Sequence, residues 1–291
     1  MNPLVWLTPT LTALVLYGLG QGFVKKYISE IPPARFCLYF VVAKAILNFG
    51  YFFSQAHPPP FASEGRHFLE VGLLAYILDG TAWILYFESI MAGPITIVGT
   101  LSAAYPALTV LFARVFLAET LNPLQYVGVV LVLLGCLGLS YAPADPNAKT
   151  TNRRWIPLAA IALILWGIAQ TLVKFAYTLP NANDANLALL NTFGGILTLG
   201  SYGIICGRKG AGSSREWLRS FLPMGMMAGG DLAVIIASRL GPISVVSPIS
   251  GAYPLVTLIF AGFVLKEKIT PFQWATVGMI LVGMFLSPGT S

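Results

Sequence analysis

Long apolar runs alternate with short polar connections along the whole chain. The runs can be drawn at residues 4–23, 34–54, 70–90, 94–117, 122–141, 155–177, 186–206, 221–239, 242–265 and 270–287. A membrane-spanning helix needs about 20 apolar residues, so each run is long enough for one span. The pattern therefore predicts an all-α integral membrane protein with ten transmembrane helices.

An internal repeat relates the two halves of the chain. Residues 93–135 align without a gap to residues 241–283, with 18 identities in 43 positions, including Gly-Pro-Ile and Ala-Tyr-Pro in both copies. A second segment repeats at an offset of 149 residues, from Gly18, Gln21 and Lys25 to their counterparts in the second half. The repeat predicts a first unit at 1–141, a linker at 142–154 and a second unit at 155–291.

An odd number of helices in each half has a topological consequence. With five helices per unit, the second unit enters the membrane from the opposite face, which makes the halves an inverted repeat. Inverted repeats are typical of secondary transporters, in which a site at the repeat interface opens alternately to either side.

Composition supports this interpretation. Hydrophobic residues make up 56% of the chain and charged residues 10%, against about 25% charged residues in a soluble domain. The formal charge of +6 is explained by basic loops beside the spans, so no nucleic-acid partner is expected. The connections at 142–154 and 207–219 are polar and basic, and we interpret both as linkers.

Several motifs resemble the drug/metabolite transporter superfamily, specifically its ten-helix EamA-like family. They include residues 18–25 and 166–174 in the first helix of each half, Pro-Ala-Arg-Phe at 33–36, Tyr86-Phe87, and the Leu-x-Glu endings at 117–119 and 265–267. The resemblance covers nearly the whole chain. It implies a transporter fold, but relatives move amino acids, amines, sugars, nucleotide derivatives and lipophilic cations, so the substrate stays open.

Ionisable residues inside the spans are the first candidates for transport, because buried charge is costly and is usually functional or paired. Asp79 shares one helical face with Tyr76, Trp83 and Tyr86. A carboxylate among aromatic rings suits an ammonium group. Asp79 could instead simply neutralise Lys44, and this alternative stays open.

Asp231 is the second acidic candidate, and Trp83 is its counterpart in the repeat alignment. We expect it to have no basic partner at depth, and a buried carboxylate takes up a proton readily because burial disfavours its charged form. The sequence therefore predicts proton or cation coupling at Asp231, with Asp79 as a second coupling group. Further predicted solute contacts are Gln21, Gln170, Met227, Tyr105 and Tyr253; Asn48, Asn191, Ser102 and Ser250 are weaker candidates.

Two other sets of residues carry alternative hypotheses. Lys25, Lys44 and Lys174 could bind an organic anion, as the resemblance implies for Lys25 and Lys174, although lysines near helix ends commonly reach the interface instead. Pro106 and Pro254 fall in the middle of related spans, where a proline frees a backbone carbonyl. We expect these prolines to act as hinges, or as fixed bends.

The sequence thus predicts a secondary transporter of a small amine-bearing metabolite, working by alternating access and coupled to protons, in a bacterial inner (plasma) membrane. The partners expected are the solute, a proton or other cation, and the lipid bilayer. The alternatives are an organic-anion exchanger and a non-transporting membrane scaffold. No nucleotide-binding motif is present. His57 and His67 are expected in the second connection, outside the spans, and they lack the spacing of a metal site, so we expect no enzyme, cofactor or metal.

The distribution of basic residues and the family resemblance predict opposite orientations in the membrane. The odd-numbered connections carry twelve Lys and Arg residues and the others carry four. By the positive-inside rule, this asymmetry places both termini outside the cytoplasm, whereas the family resemblance implies cytoplasmic termini. We adopt the orientation that the charges indicate as the expectation.

Overall fold

The protein is helical throughout the part of the chain that the structure describes. This structure, a computed structural model, describes residues 4–27, 31–56, 65–92, 104–140, 154–207, 213–264, 266 and 270–287. The first half contains α1 (Leu4–Tyr27), α2 (Pro33–Ser54), α3 (Arg66–Ala92), α4 (Tyr105–Phe116) and α5 (Pro123–Ser140). No strand occurs among these residues.

The second half has the same order of helices, with two of them interrupted. It contains α6 (Trp155–Ala176), α7 (Asp184–Gly195), a π-helical turn (Ile196–Gly200), α8 (Ser201–Cys206), α9 (Ser214–Leu240), α10 (Ile243–Gly251), α11 (Pro254–Val264) and α12 (Pro271–Leu286). Asn183, Ser213 and Thr270 cap α7, α9 and α12 by accepting hydrogen bonds from backbone N–H groups of the first turn.

Seven segments of the described chain are long and apolar enough to cross a membrane. They are Val5–Val24, Pro33–Ser54, Arg66–Ala92, Trp155–Ala176, Asp184–Cys206, Ser214–Leu240 and Ile243–Val264. Three shorter apolar helices, Tyr105–Phe116, Pro123–Gly138 and Pro271–Leu286, accompany them. The architecture is that of a multi-pass integral membrane protein, while the number of spans stays a prediction.

Helices of one half pack on helices of the other. The most extensive contacts join α1 to α9, α3 to α6 and α5 to α12, and α2 packs on both α7 and α9. If the halves are superposed through the repeat, α1–α9 and α6–α3 are the same contact made twice. The packing therefore follows the twofold relation that the repeat predicts.

Equivalent helices of the two halves run in opposite directions where they pack on each other, as an inverted repeat requires. The pairs are α5 with α12 and α2 with α7. A Cβ atom added to Gly128 of α5 would lie 2.8 Å from the Gly283 carbonyl oxygen of α12, whereas one added to Gly138 would lie 2.4 Å from Thr276. The second helices of the two halves are antiparallel as well. Tyr51, late in α2, contacts Asp184 at the start of α7, whereas Lys44, earlier in α2, contacts Asn191 further along α7. Small residues let these antiparallel backbones approach closely.

Two sequence predictions about element boundaries are corrected by the structure. The predicted linker at 207–219 is shorter, because Ser213 caps α9 and Ser214 to Arg219 are already helical. His67 lies in the first turn of α3, and not in a connection. His57 and the 142–153 part of the other linker lie outside the described residues.

Candidate functional site

A cavity lies where the two halves meet. Its volume is about 30 Å³. Nine residues line it: Tyr17, Gln21, Asp79, Trp83, Tyr105, Trp166, Gln170, Asp231 and Tyr253. The lining joins both acidic candidates of the sequence analysis with the two glutamines and the two tyrosines of the Ala-Tyr-Pro motifs.

The lining follows the internal repeat almost residue for residue. Four pairs occupy equivalent positions in the two halves: Tyr17 and Trp166, Gln21 and Gln170, Trp83 and Asp231, and Tyr105 and Tyr253. Asp79 is the exception, since its counterpart Met227 is fully buried and does not line the cavity. The symmetry of the fold therefore builds the cavity, and Asp79 adds a charge on one side only.

A buried lysine lies between the two acids. Lys44 Nζ, on α2, is 2.7 Å from Asp231 Oδ2 and 3.4 Å from Asp79 Oδ2, and the Lys44 side chain is fully buried. The same ammonium donates to Asn191 Oδ1 at 2.9 Å and lies 4.5 Å from the centre of the Phe40 ring. Four groups therefore surround one cation, which is the compensation that a buried charge requires.

The two acids are not held equally. Asp231 accepts a hydrogen bond from the Tyr17 hydroxyl at 2.5 Å in addition to its contact with Lys44. Asp79 has the longer contact with Lys44, interacts with the Trp166 side chain, and is the more exposed of the two, at 16% against 10%. Asp231 is therefore the closer ionic partner of Lys44.

This geometry corrects the expectation that Asp231 has no basic partner at depth. That expectation was wrong because it placed Lys44 with Asp79 alone, whereas α2 packs against both α3 and α9 and brings the ammonium between the two acids. The contact between Lys44 and Asp79 that the sequence left open is present as well, but it is the longer of the two.

Aromatic rings form the wall beside the acids. The ring centres of Trp83 and Trp166 lie 5.0 Å apart in an edge-on arrangement, and Tyr105 packs 5.7 Å from Trp166. The indole N–H of Trp83 has no hydrogen-bond partner although the residue is only 7% exposed, and the side-chain oxygen of Gln170 is also without a partner. Buried polar atoms of this kind are rare and call for an explanation.

Three predicted solute contacts do not line the cavity. Tyr76 packs with Phe68, Ala75 and residues of α6 and α7, while Tyr86 and Met227 belong to the main apolar core. Tyr76 and Tyr86 lie on the same face of α3 as Asp79, but the cavity touches that face over one turn only. Neighbouring helices cover the rest of the face, so these residues are buried by packing.

The lysines of the anion hypothesis lie elsewhere. Lys174 Nζ donates to the carbonyl oxygens of Ser238 and Gly241 at 2.9 and 2.7 Å, at the end of α9. A cation is favourable there because a helix C-terminus carries partial negative charge. Lys44 is enclosed by acids, and the side chain of Lys25 lies outside the described part of the structure. No observation in the described residues favours an anion site on these side chains.

Pro254 differs from its predicted place in the middle of a helix. Pro254 is the first residue of α11, after a turn at Ala252 and Tyr253 that separates it from α10, and Pro106 lies in the first turn of α4. A proline fits a first turn because no N–H partner is lost there. Pro254 thus starts a new helix segment and does not bend a continuous helix. Residues 101–103, including Ser102, lie outside the described residues.

Two lining residues were missed by the sequence analysis. Tyr17 and Trp166 lie one helical turn before Gln21 and Gln170, at equivalent positions of the repeat. The spacing of one turn combined with the repeat register would have identified both. Of the weaker candidates, Asn191 accepts from Lys44, Asn48 donates to Thr192, and Ser250 donates to the Val246 carbonyl oxygen.

The described residues contain no group of three or more His, Cys, Asp or Glu side chains that could hold a metal ion. The side chains that meet at the site supply one ammonium, two carboxylates, phenols, amides and indoles. Such a set can bind charge and exchange protons.

Comparison with known proteins agrees with this architecture. The model of the EamA-like transporter family matches residues 4–141 and 153–287, which is nearly the whole chain in two copies. The chain belongs to the EamA-like transporter family. Membership confirms the resemblance to the drug/metabolite transporter superfamily, and members of this family are membrane transporters that are generally not enzymes.

Two relatives extend the comparison. An uncharacterised protein of Methanocaldococcus jannaschii is 33% identical over 130 residues, which cover 45% of this chain and 92% of the relative. That relative is therefore about as long as one half of this chain. A protein of known crystal structure matches with a TM-score of 0.74 and 16% identity over 96% of this chain and 94% of its own, which shows a shared fold.

Proposed function

We propose that this EamA-like protein is a secondary active transporter that moves a small amine-bearing metabolite, such as an amino acid, an amine or a quaternary ammonium compound. Transport proceeds by alternating access and is coupled to protons, in a bacterial inner membrane. The position of the cavity at the contact between the two halves supports alternating access, since relative motion of the halves would open it to one side or the other.

One observation carries the choice of a cationic solute. Asp79 and Asp231 line the same cavity, and the only cation in contact with them among the described residues is Lys44. When all three groups are ionised, one negative charge is left over. Charge that is removed from water needs a counter-charge, and an ammonium group or a proton supplies it.

The aromatic wall supports the same choice. Trp83, Trp166 and Tyr105 present rings to the cavity next to Asp79. A desolvated cation over such a ring gains about 2 kcal/mol or more. An anion would gain from neither the acids nor the rings.

The small volume of the cavity indicates that binding requires rearrangement. A cavity that binds benzene measures about 150 Å³, so a cavity of about 30 Å³ has to widen to admit an amino acid or a quaternary ammonium ion. The walls come from α1, α3, α4, α6 and α9 and from the turn that holds Tyr253, so a small separation of the two halves would enlarge the cavity. Solute binding is thus linked to the conformational change that transport needs.

The first test is binding and flux with purified protein. Thermal unfolding is measured with amines, amino acids, quaternary ammonium compounds and phosphorylated metabolites, and flux of the stabilising compounds follows in proteoliposomes with an imposed pH gradient. We expect stabilisation by ammonium compounds and flux that the pH gradient drives. Asp79→Asn should lose both, whereas Glu70→Gln, an exposed carboxylate on the same helix, should lose neither. Stabilisation by anions alone, or flux that ignores the pH gradient, would contradict the proposal.

A further inference from the structure

Six titratable side chains of the described residues surround Asp79. Facing it are Lys44 from α2, Asp231 from α9, Tyr17 from α1, Tyr105 from α4 and Tyr253 from the turn between α10 and α11. Its own helix adds Tyr76, and α6 and α7 add the uncharged side chains of Trp166, Gln170 and Asn191. At neutral pH the tyrosines are uncharged, so the charge of the set depends on one lysine and two carboxylates.

The ammonium group of Lys44 has the contacts that a bound amine would have. Its ammonium has a carboxylate at 2.7 Å, an amide oxygen at 2.9 Å and an aromatic ring at 4.5 Å. These are the partners that an amine-binding site would offer to a free ammonium group. Lys44 therefore fills one cation position permanently, and Asp231 with Asn191 and Tyr17 holds it there.

The second cation position is at Asp79. This carboxylate has the longer, 3.4 Å contact with Lys44, interacts with the Trp166 side chain, lines the cavity and is the more exposed of the two acids. Beside it in the cavity wall, the buried N–H of Trp83 lacks an acceptor. A solute that carries both an ammonium group and a hydrogen-bond acceptor would satisfy both groups.

We propose that Lys44 limits the site to one additional positive charge, so that a proton and a monocationic solute compete for Asp79 and exchange one for one. The inference rests on the proposed function and deepens it. The solute's ammonium group takes the place of the proton on the Asp79 carboxylate, and that proton is released to water on the side to which the cavity is open. On the other side, a proton returns and the solute leaves.

This arrangement predicts the charge of the solute and the voltage dependence of transport. Exchange of one monocation for one proton moves no net charge, so the membrane potential should not drive it. A dication would bring one positive charge more than Lys44, Asp79 and Asp231 together can compensate, and uncompensated charge in a dry site is costly. Lys44 is in this sense a specificity-determining residue, which selects monocations over dications.

The decisive measurement uses the wild-type protein and a permanently charged probe. Tetramethylammonium and methylammonium are titrated calorimetrically from pH 5 to pH 9 in buffers of different ionisation heat, which reports the protons released on binding. Because tetramethylammonium does not titrate, any proton comes from the protein. We expect release to approach one proton per cation at the acidic end and none at the alkaline end. Where release is complete, the dissociation constant should rise about tenfold for each unit by which the pH is lowered.

The possible outcomes separate the two proposals. If no ammonium compound binds at any pH, the proposed function fails. If an ammonium compound binds without proton release at every pH, the exchange inference fails while the proposed function stands. Flux in proteoliposomes whose membrane potential is clamped gives an independent check, since a rate that follows the potential would also overturn one-for-one exchange.

Wild type and three variants with conservative substitutions give three charge states of the cluster formed by Lys44, Asp79 and Asp231. The ionised wild-type cluster carries −1, Asp79→Asn makes it 0, Lys44→Met makes it −2, and the double variant Lys44→Met/Asp79→Asn restores −1. We expect Asp79→Asn to weaken tetramethylammonium binding about tenfold or more and to abolish proton release. The double variant should regain both.

Lys44→Met should change the preferred charge of the ligand. The vacated position makes room for a second ammonium group, so the variant should favour 1,4-diaminobutane over methylammonium about tenfold relative to wild type. Glu70→Gln serves as the control that removes a carboxylate outside the cluster. A folded double variant that stays unable to bind, or a Lys44→Met variant with unchanged preference, would overturn the inference. If the Lys44 variants do not fold, the proton count on wild type decides.

Discussion

Removing the charge of Asp231 should destabilise the protein more than removing the charge of Asp79, because Asp231 is the closer partner of Lys44. The perturbation is a pair of double-mutant cycles. One combines Lys44→Met with Asp231→Asn, and the other combines Lys44→Met with Asp79→Asn. Each cycle gives the coupling energy between Lys44 and one of the two acids.

The expected magnitudes follow from the distances. With an effective dielectric constant of about 20, the Coulomb attraction is about 6 kcal/mol at the 2.7 Å between Lys44 Nζ and Asp231 Oδ2, and about 5 kcal/mol at the 3.4 Å to Asp79 Oδ2. Desolvation offsets most of either attraction. Asp231 also accepts a hydrogen bond from the Tyr17 hydroxyl. Removing the charge of Asp231 therefore leaves the buried Tyr17 hydroxyl with a weaker acceptor as well.

We therefore expect Asp231→Asn to lower the free energy of unfolding by about 3 kcal/mol and Asp79→Asn by about 1 kcal/mol. The coupling energy with Lys44 should be larger for Asp231 than for Asp79. In both cycles the double variant should be more stable than the sum of the single changes implies, since removing Lys44 alone leaves two buried acids without a cation, whereas the double change returns the group to the wild-type charge of −1.

The assay is reversible unfolding in mixed detergent micelles, followed by circular dichroism and tryptophan fluorescence. The exposed pair of Arg66 and Glu70, one turn apart on α3, is the matched control, and its cycle should show no measurable coupling. Equal coupling energies for the two acids, or a larger one for Asp79, would refute the assignment of Asp231 as the principal partner of Lys44.

Other predictions concern the cavity wall, the helix crossing and the alternative anion site. Trp83→Phe keeps a ring beside Asp79 and should weaken tetramethylammonium binding less than Trp83→Leu does; equal affinities would make the ring ordinary packing. Gly128→Ala places a Cβ atom 2.8 Å from backbone of α12 and should lower the free energy of unfolding by about 1–3 kcal/mol, whereas Gly278→Ala, with nothing within 4 Å, should not. Lys174→Met removes a cation that caps α9 and should lower thermal stability while leaving flux of ammonium compounds intact; loss of solute binding in a folded variant would instead revive the anion hypothesis. By the positive-inside rule, a cysteine at position 291 should react with an impermeant reagent in intact cells.

Much of the cavity could be predicted from the repeat. The alignment of the halves brings Gln21 and Gln170 together as equivalent positions, and it places Trp83 opposite Asp231. Because an inverted repeat builds its central site from the same positions twice, one lining residue predicts its counterpart. The same rule, applied one turn earlier in each helix, gives Tyr17 and Trp166.

The remaining features depend on distances between helices, which a sequence without an alignment does not contain. Lys44 lies deep in α2, and only the packing of α2 between α3 and α9 decides that its ammonium reaches Asp231 more closely than Asp79. In the same way, periodicity puts Tyr76 and Asp79 on one face of α3, but it does not say where α7 covers that face. The contact of Gly194 with Tyr76 decides this point.

The crossing of α5 and α12 bears on how such a protein arose. These helices are the same element in two copies, and their glycines pack against each other with the chains running in opposite directions. A surface that packs on its own copy through a twofold axis is self-complementary. A five-helix chain with this surface could pair with a second copy of itself only if the two copies were inserted in opposite senses. The Methanocaldococcus relative, which is about as long as one half, is of the size such a chain would have. Fusion of two copies would then have fixed each half in a single orientation. Once the halves were joined, they could diverge, and a charge such as Asp79 could be placed on one side alone.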